Sequence, residues 1–239
     1  MKDQLIHLVH LYPEEMNIYG DTGNRLILQR RLERRGMATK VSLIGMNEPV
    51  PSDVDILIGG GGQDAVQSAI QSDLLSKEEQ LSDLAQNDVV MLMVCGLYQL
   101  FGRRFITNAG EEIRGIGILP LETRAGSKRL IGNIVVATPW GELVGYENHS
   151  GLTKLDDPQQ ALGRVIKGAG NNGQDKTEGC LYRNIFGTYS HGPVLSKNPF
   201  LADELIRRAL IRKYGVAKLK PLDDQLELQA ATIAKKRPR

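Results

Sequence analysis

Residues 89–102 read VVMLMVCGLYQLFG: six apolar residues, a cysteine, a glycine, and a second apolar-rich run. Six apolar residues without polar alternation describe a strand buried on both faces, which is what a covered parallel sheet places at its centre. The run from Gly96 onward is helical in period, so Cys95 stands at a strand-to-helix turn. In open parallel sheets, reactive groups gather beyond the carboxyl ends of the strands, where helix N-termini expose free amides. An alanine would pack equally well at position 95. A thiol adds something alanine lacks, because the helix dipole and the unpaired amides favour its thiolate.

Working outward, Leu5 to Leu11 (LIHLVHL) has strand character, and Asn24 to Arg35 is a helix closed by Gly36. Val41 to Ile44 and Val54 to Ile58 are short strands, the second running into the glycines at 59–62. Helical stretches follow at Asp64 to Ser72 and Lys77 to Ala85. In the second half, Arg129 to Thr138, Leu143 to Glu147 and Leu181 to Tyr189 look like strands separated by turns such as TPWGE at 138–142. Pro199 to Tyr214 returns as an amphipathic helix. The expected fold class is α/β: a mostly parallel central sheet with helices on both faces, plus added antiparallel edge strands. Residues 1–215 form one expected domain, and 216–239 a tail with a short helix and a disordered basic end, KKRPR. Gly168 to Gly179 (GAGNNGQDKTEG) has the composition of an exposed, mobile loop, and there is no internal repeat.

A chain of 239 residues can bury a large core unaided, and a formal charge of +2 calls for no polyanionic partner. The opening MKDQLIHLVHLYPEEMN lacks signal-peptide character, and no apolar run reaches membrane-spanning length. Two cysteines in so long a chain do not make a disulfide framework, so a reducing cytoplasm is expected.

A nucleophilic thiol needs an oxyanion site and a base. Gly96 leaves room for a substrate carbonyl, and its amide is a candidate oxyanion donor. GGGGQD at 59–64 offers a second donor, with Gly61 the first choice. Phosphate cradling is the rival reading of this run, but no lysine follows at Walker spacing, and Asp64 reads as a helix N-cap. Of the four histidines, His191 in GTYSHGP lies just past a late strand and is the candidate base. His149 in YENHSG is held in reserve, as base or substrate contact. His7 and His10, at odd separation on one strand, face opposite sides of it. Cys180 reads as a structural thiol, and Arg30, Arg31, Arg34 and Arg35 as a solvated helix face or a surface for a partner or membrane.

Taken together, CGLYQLFG, then YSHGP, with GGGGQD before and GYENHSG between, resemble the cobyric acid synthase-type branch of the class I glutamine amidotransferases. Within that branch, YPEEMNIYGDTGN at 12–24, GGGGQD and SKRLIGN at 127–133 resemble the glutaminase subunits of lipid II isoglutaminyl synthases. The resemblance runs from Leu5 to Tyr214. It implies a glutaminase in which Cys95 attacks the glutamine side-chain amide, with His191 as base and acid. It also implies substrate contacts from Gln99, from Arg129 to the amino acid carboxylate, and from the Asn148–Gly151 loop, so Asn148 and His149 line the glutamine pocket. The implied partner is a Mur ligase-like (MurT-type) synthetase subunit in a heterodimer, carrying ATP and Mg and acting on the D-glutamate of lipid II near the inner face of the membrane. No cofactor is expected in this chain. The alternatives are a glutaminase for another synthetase, of the cobyrinate-amidating kind, and a non-catalytic regulatory subunit. Two departures from the class stand out. Pro193 occupies the position two after His191 where class I members carry Glu, so a backbone carbonyl or an acid such as Glu147 is left to orient the histidine. Met93 stands two before the thiol, where relatives carry a small residue.

Overall fold

The computed structural model of the chain describes residues 4–215 and 218–238. Strands β1 (Leu5–Leu11), β2 (Ala38–Ile44), β3 (Ile56–Gly59), β4 (Val90–Val94), β11 (Cys180–Tyr182) and β12 (Ile185–Thr188) form one sheet in the order β11-β12-β4-β3-β1-β2. All neighbours in it pair in parallel except β11, which runs antiparallel to β12 at the edge. The apolar run that opens the motif is thus central, with β3 and β12 on its flanks and every residue of β4 buried.

Helix α1 (Thr22–Glu33) lies over β1 and β2, and α5 (Pro199–Tyr214) packs beside it over β3 and β4. The ends of α5 are chemically marked: Pro199 sits in its first turn and Gly215 closes it with a left-handed φ of 71°. Its buried Leu201, Leu205, Ile206 and Leu210 repeat at helical spacing, and burying each such side chain contributes about 1.5–3 kcal/mol. Helices α2 (Asp64–Ser76), α3 (Glu78–Gln86) and α4 (Gly96–Leu100) follow β3 and β4. Gln63, not Asp64, is the N-cap of α2, and Asp64 is its first helical residue.

The antiparallel strands go beyond an edge and build a second sheet. It contains β5 (Arg104–Ile106), β6 (Glu112–Arg114), β7 (Leu121–Thr138), β8 (Gly141–Leu155), β9 (Gly163–Lys167) and β10 (Thr177–Glu178), and β7 and β8 form one long hairpin. β7 is 18 residues long and reaches back through the polar segment before Arg129, with an irregularity in pairing between Ala125 and Leu130. That irregularity lets the hairpin bend beside the first sheet.

Two expectations need correction. Arg31 and Arg35 are buried: Arg31 binds Asp203 (2.7 Å) and Asp224 (2.6 Å), while Arg35 binds Asp203 (2.7 Å) and the Lys220 carbonyl (2.8 Å). Half of the arginine run therefore clamps the tail onto α1 and α5 instead of facing solvent. Replacing Arg31 with alanine is expected to lower stability by about 2 kcal/mol in urea denaturation, since it strands Asp224 while Asp203 keeps Arg35. Likewise, the start of the glycine-rich loop is held firmly. Glu147 accepts the amides of Ala169 and Gly170 (both 2.8 Å), and the fully buried Asn171 side chain bonds Gly179, Thr177 and Tyr98.

The boundary expected after Gly215 falls on residues 216 and 217, outside the described residues. Beyond it, α6 (Gln225–Lys236) forms and lies against β7 and β8. Its basic end is tied down, with Lys235 paired to Glu142, Lys167 bonding the Arg237 carbonyl and Asn133 bonding that of Pro238. Among the described residues, no helix is long and apolar enough to cross a membrane.

Candidate functional site

The motif forms a strained elbow. Cys95 has φ 52° and ψ −101°, unfavourable for a residue with a Cβ, and its amide is held by the Thr188 carbonyl at the end of β12 (2.9 Å). Leu97 donates to the Gly60 carbonyl (3.2 Å), which fixes the start of α4 against the turn after β3. Such strain persists only where the surroundings impose it, and here two neighbouring strands do so. Met93 pairs with Gly59 on one side and Gly187 on the other. A Cβ on Gly59 would overlap Leu97, and one on Gly187 would overlap the Tyr98 ring. Glycines on both adjacent strands thus make room for Leu97 and Tyr98 of α4, and the one at 59 also borders Met93, whose Sδ would lie 3.3 Å from a Cβ there.

Three segments meet at the thiol. A Cβ on Gly61 would lie 3.1 Å from His191 Cε1 and 3.4 Å from Cys95 Sγ, so the turn after β3, the elbow and the histidine are in contact. His191 is held by backbone pairing with Tyr146, its N–H donating to the Tyr146 carbonyl (2.8 Å) and its carbonyl accepting from the Tyr146 amide (3.1 Å). Behind the imidazole stands Asp21, whose Oδ2 lies 3.4 Å from His191 Nδ1, with both side chains 2% exposed. Asp21 is the N-cap residue of α1, and the helix start favours its negative charge. The acid left open by Pro193 is thus supplied by the loop after β1, while the Glu147 carboxylate accepts the two loop amides.

Burial alone would disfavour a charged His191. Cys95 and Asp21 overcome it and raise the imidazole from its ordinary 6.5 to about 10. Cys180 behaves oppositely, since burial with no compensating charge pushes its thiol up to about 12. His10 is buried, has no hydrogen-bond partner among the described residues, and is drawn down to about 4 by burial and Arg25, against Asp21. His7 bonds Ser42 Oγ (2.8 Å) and contacts Asp53 (3.1 Å). Both are core histidines.

The oxyanion assignment shifts by one residue. The Gly61 amide donates to Asp21 Oδ2 (3.0 Å), so it serves the acid and is not free for a substrate. The next amide, that of Gly62, has its nitrogen 3.0 Å from where a Cβ on Gly96 would stand. The Gly62 amide thus lies against the backbone of Gly96, next to the thiol in sequence, which makes the amides of Gly62 and Gly96 the candidate oxyanion donors. A side chain at Gly96 would also displace the end of Met16, whose Cε lies 2.6 Å from that position, and would crowd the Gly62 backbone.

Beyond the thiol opens a cavity of about 510 Å³, bordered by Tyr19, Gln67, Cys95, Gln99, Arg129, Asn148 and His149. Gln99 is buried: its Oε1 accepts from Gln67 (3.0 Å) and its Nε2 donates to Tyr189 Oη (3.0 Å). His149 stacks flat on Tyr189, with ring centres 3.6 Å apart, and its Nδ1 donates to the Gly151 carbonyl (2.7 Å). It forms a cavity wall, whereas His191 has the contact with the acid. At the mouth, the Arg129 guanidinium grips Asn148 through Nε and Nη2 (3.0 and 2.9 Å to Oδ1) and reaches Tyr19 Oη (3.4 Å). The structure thus gathers Cys95, His191, Gly61, Gly96, Gln99, Arg129, Asn148 and His149 at one site, and adds Asp21, Gly62 and Gln67.

The CobB/CobQ-like glutamine amidotransferase domain matches residues 7–199. The chain is 40% identical over 88% of its length, and 82% of the other's, to the lipid II isoglutaminyl synthase (glutamine-hydrolyzing) subunit GatD of Streptococcus pneumoniae. To the Staphylococcus aureus protein of the same name it is 36% identical, over 95% of this chain and 93% of that one. Among solved structures, PurLQS from Thermotoga maritima superposes with a TM-score of 0.57 at 16% identity, covering 87% of this chain and 96% of that one. That likeness carries the fold alone. The chain belongs to the CobB/CobQ-like glutamine amidotransferase family.

Proposed function

We propose that the chain is the glutamine-hydrolysing subunit of a lipid II isoglutaminyl synthase, with Cys95 as its nucleophile. The observation that carries this reading is a thiol on a strained strand-to-helix turn, lining a cavity that Arg129 also borders, with the buried His191–Asp21 pair beside it. The likeness over nearly whole length to two named subunits of that synthase supports the choice of acceptor.

In the proposed reaction, glutamine enters with its carboxylate on the Arg129 guanidinium and its side-chain amide over Cys95. The thiolate attacks the amide carbon, and the Gly62 and Gly96 amides hold the oxyanion. Imidazolium His191 gives its proton to the departing nitrogen, ammonia leaves, and a glutamyl thioester remains. Neutral His191 then takes a proton from water, which attacks the thioester and releases glutamate. Asp21 keeps the imidazole oriented and favours its charged form throughout.

The ammonia is used by a Mur ligase-like synthetase subunit that binds ATP and Mg and activates the D-glutamate carboxylate of lipid II. The product is D-isoglutamine in the stem peptide, made near the inner face of the membrane. The test supplies glutamine labelled with ¹⁵N in its side-chain amide to the chain, the Mur ligase-like subunit, ATP, Mg and lipid II. The label is expected in amidated lipid II, dependent on both subunits; label that stays in free ammonia with lipid II unchanged overturns the choice of acceptor.

Arg129 is expected to act on binding. Arg129→Ala should raise KM for glutamine about 10–100-fold with little change in kcat, the loss of a charge-assisted contact of about 1.5–3 kcal/mol. An unchanged KM in steady-state assays of glutamate release would remove the carboxylate clamp.

A further inference from the structure

The strand that delivers His191 is held by a buried carboxyl that the reaction does not use. Glu178, on β10 of the second sheet, is fully buried. Its Oε1 accepts three bonds from consecutive residues: Thr188 Oγ1 (2.5 Å), the Tyr189 amide (3.0 Å) and Ser190 Oγ (3.2 Å). Thr188 Oγ1 in turn accepts the Ser190 amide (2.9 Å), so the exit of β12 is bound as one unit. The other oxygen, Oε2, has no partner among the described residues. Burial raises this acid to about 7, against the bonds from Thr188 and Tyr189 and with help from nearby Glu147.

The three gripped residues lead to the thiol, the histidine and the wall of the pocket. The Thr188 carbonyl takes the Cys95 amide (2.9 Å), Tyr189 Oη holds Gln99 and its ring stacks on His149, and Ser190 immediately precedes His191. Packing leaves this segment little slack, since a Cβ on Gly145 would come within 2.7 Å of Ser190 Cβ.

We infer that Glu178 is a positioning residue of the glutaminase centre: through one oxygen it sets His191 against Cys95 and, by the same grip, sets Tyr189 behind the glutamine pocket. The inference rests on the role proposed above for Cys95 and His191. It requires a buried acceptor at position 178, because the three bonds to Thr188, Tyr189 and Ser190 all end on one oxygen. Glutamine at 178 keeps that acceptor; alanine removes it and leaves two hydroxyls and an amide facing an apolar gap.

The test uses the full chain well below its melting temperature, reading the rate of Cys95 alkylation by iodoacetamide across pH together with kcat and KM for glutamate release. Glu178→Gln is expected to stay within about threefold of wild type in all three readouts. Glu178→Ala is expected to lose about 100-fold in kcat, to raise KM several-fold, and to shift the pH profile of alkylation, because the His191–Cys95 contact changes. Should Glu178→Ala fail to fold, Ser190→Ala, which removes one donor of the three, is expected to show the same shift in smaller measure. A folded Glu178→Ala with wild-type profile, kcat and KM overturns the inference, as does a Glu178→Gln that collapses with it. If wild-type Cys95 reacts no faster than the thiol of the unfolded chain, it is the underlying glutaminase reading that fails.

Discussion

Cys95→Ser is expected to abolish glutamine hydrolysis, lowering kcat by about 10⁴-fold or more, while leaving the protein folded. A serine hydroxyl fits the same elbow with almost no change in volume, and the positive φ that Cys95 adopts is imposed by β3, β12 and α4 and not by sulfur. What disappears is the thiolate. An alcohol beside imidazolium His191 stays protonated, so the amide carbon meets a poor nucleophile. Glutamate release in a coupled assay, read beside a melting curve within about 3 °C of wild type, separates loss of chemistry from loss of fold.

The second large effect is expected at Asp21, which no local motif announces. Asp21→Asn keeps the size and one acceptor oxygen but removes the charge that orients His191 and, after Cys95, favours its protonated form, and kcat should fall about 10³-fold. The same variant carries a stability signature whose sign follows from linkage. His191 is raised from 6.5 to about 10 in the folded protein, so its stabilising contribution is complete below pH 6.5 and fades as pH rises through about 10. The gap in stability between wild type and Asp21→Asn should therefore be widest near about pH 6 and close by about pH 10. Denaturant titrations at several pH values check it. A gap that widens with pH would mean that the aspartate does not act through the histidine.

The contrast between Cys95 and Asp21 explains how much of the site was legible in the sequence. A nucleophile at a strand-to-helix turn leaves a local record, apolar run, thiol, glycine, and His191 and Arg129 sit in equally compact motifs. Asp21 lies on the loop after β1 and His191 just past the end of β12, and the two meet because β1, β3, β4 and β12 run parallel and open at the same end of the sheet. An acidic N-cap in GDTGN at the carboxyl end of a parallel strand was the available signal, but only strand order turns it into a partner. The Gly61 amide drops out as an oxyanion donor for the same reason, since a side chain from another loop takes it. Met93 looked like a misfit until the register placed Gly59 and Gly187 beside it.

The fold divides along similar lines. The parallel sheet is readable because its central strands β3 and β4 are apolar throughout and α5 is amphipathic. In the second half, strand character is visible from Arg129 to Thr138, yet the polar, largely exposed stretch at 124–129 conceals an 18-residue strand and the separate sheet built on it. Arg31 and Arg35 carry no local sign of burial. Their partners, Asp203 and Asp224, come from α5 and the tail, so only the assembled fold converts a basic helix face into a clamp.

A diazo-ketone analogue of glutamine offers the most direct test of the central assignment, because it alkylates only a nucleophile that the amino acid pocket has placed against its side chain. Incubation followed by intact-protein and peptide mass spectrometry should show one adduct per chain, on Cys95. Labelling should be suppressed by excess glutamine and absent in Cys95→Ser. An adduct on Cys180 or elsewhere, or a Cys95 adduct indifferent to glutamine, would contradict the assignment of Cys95 as the glutaminase nucleophile.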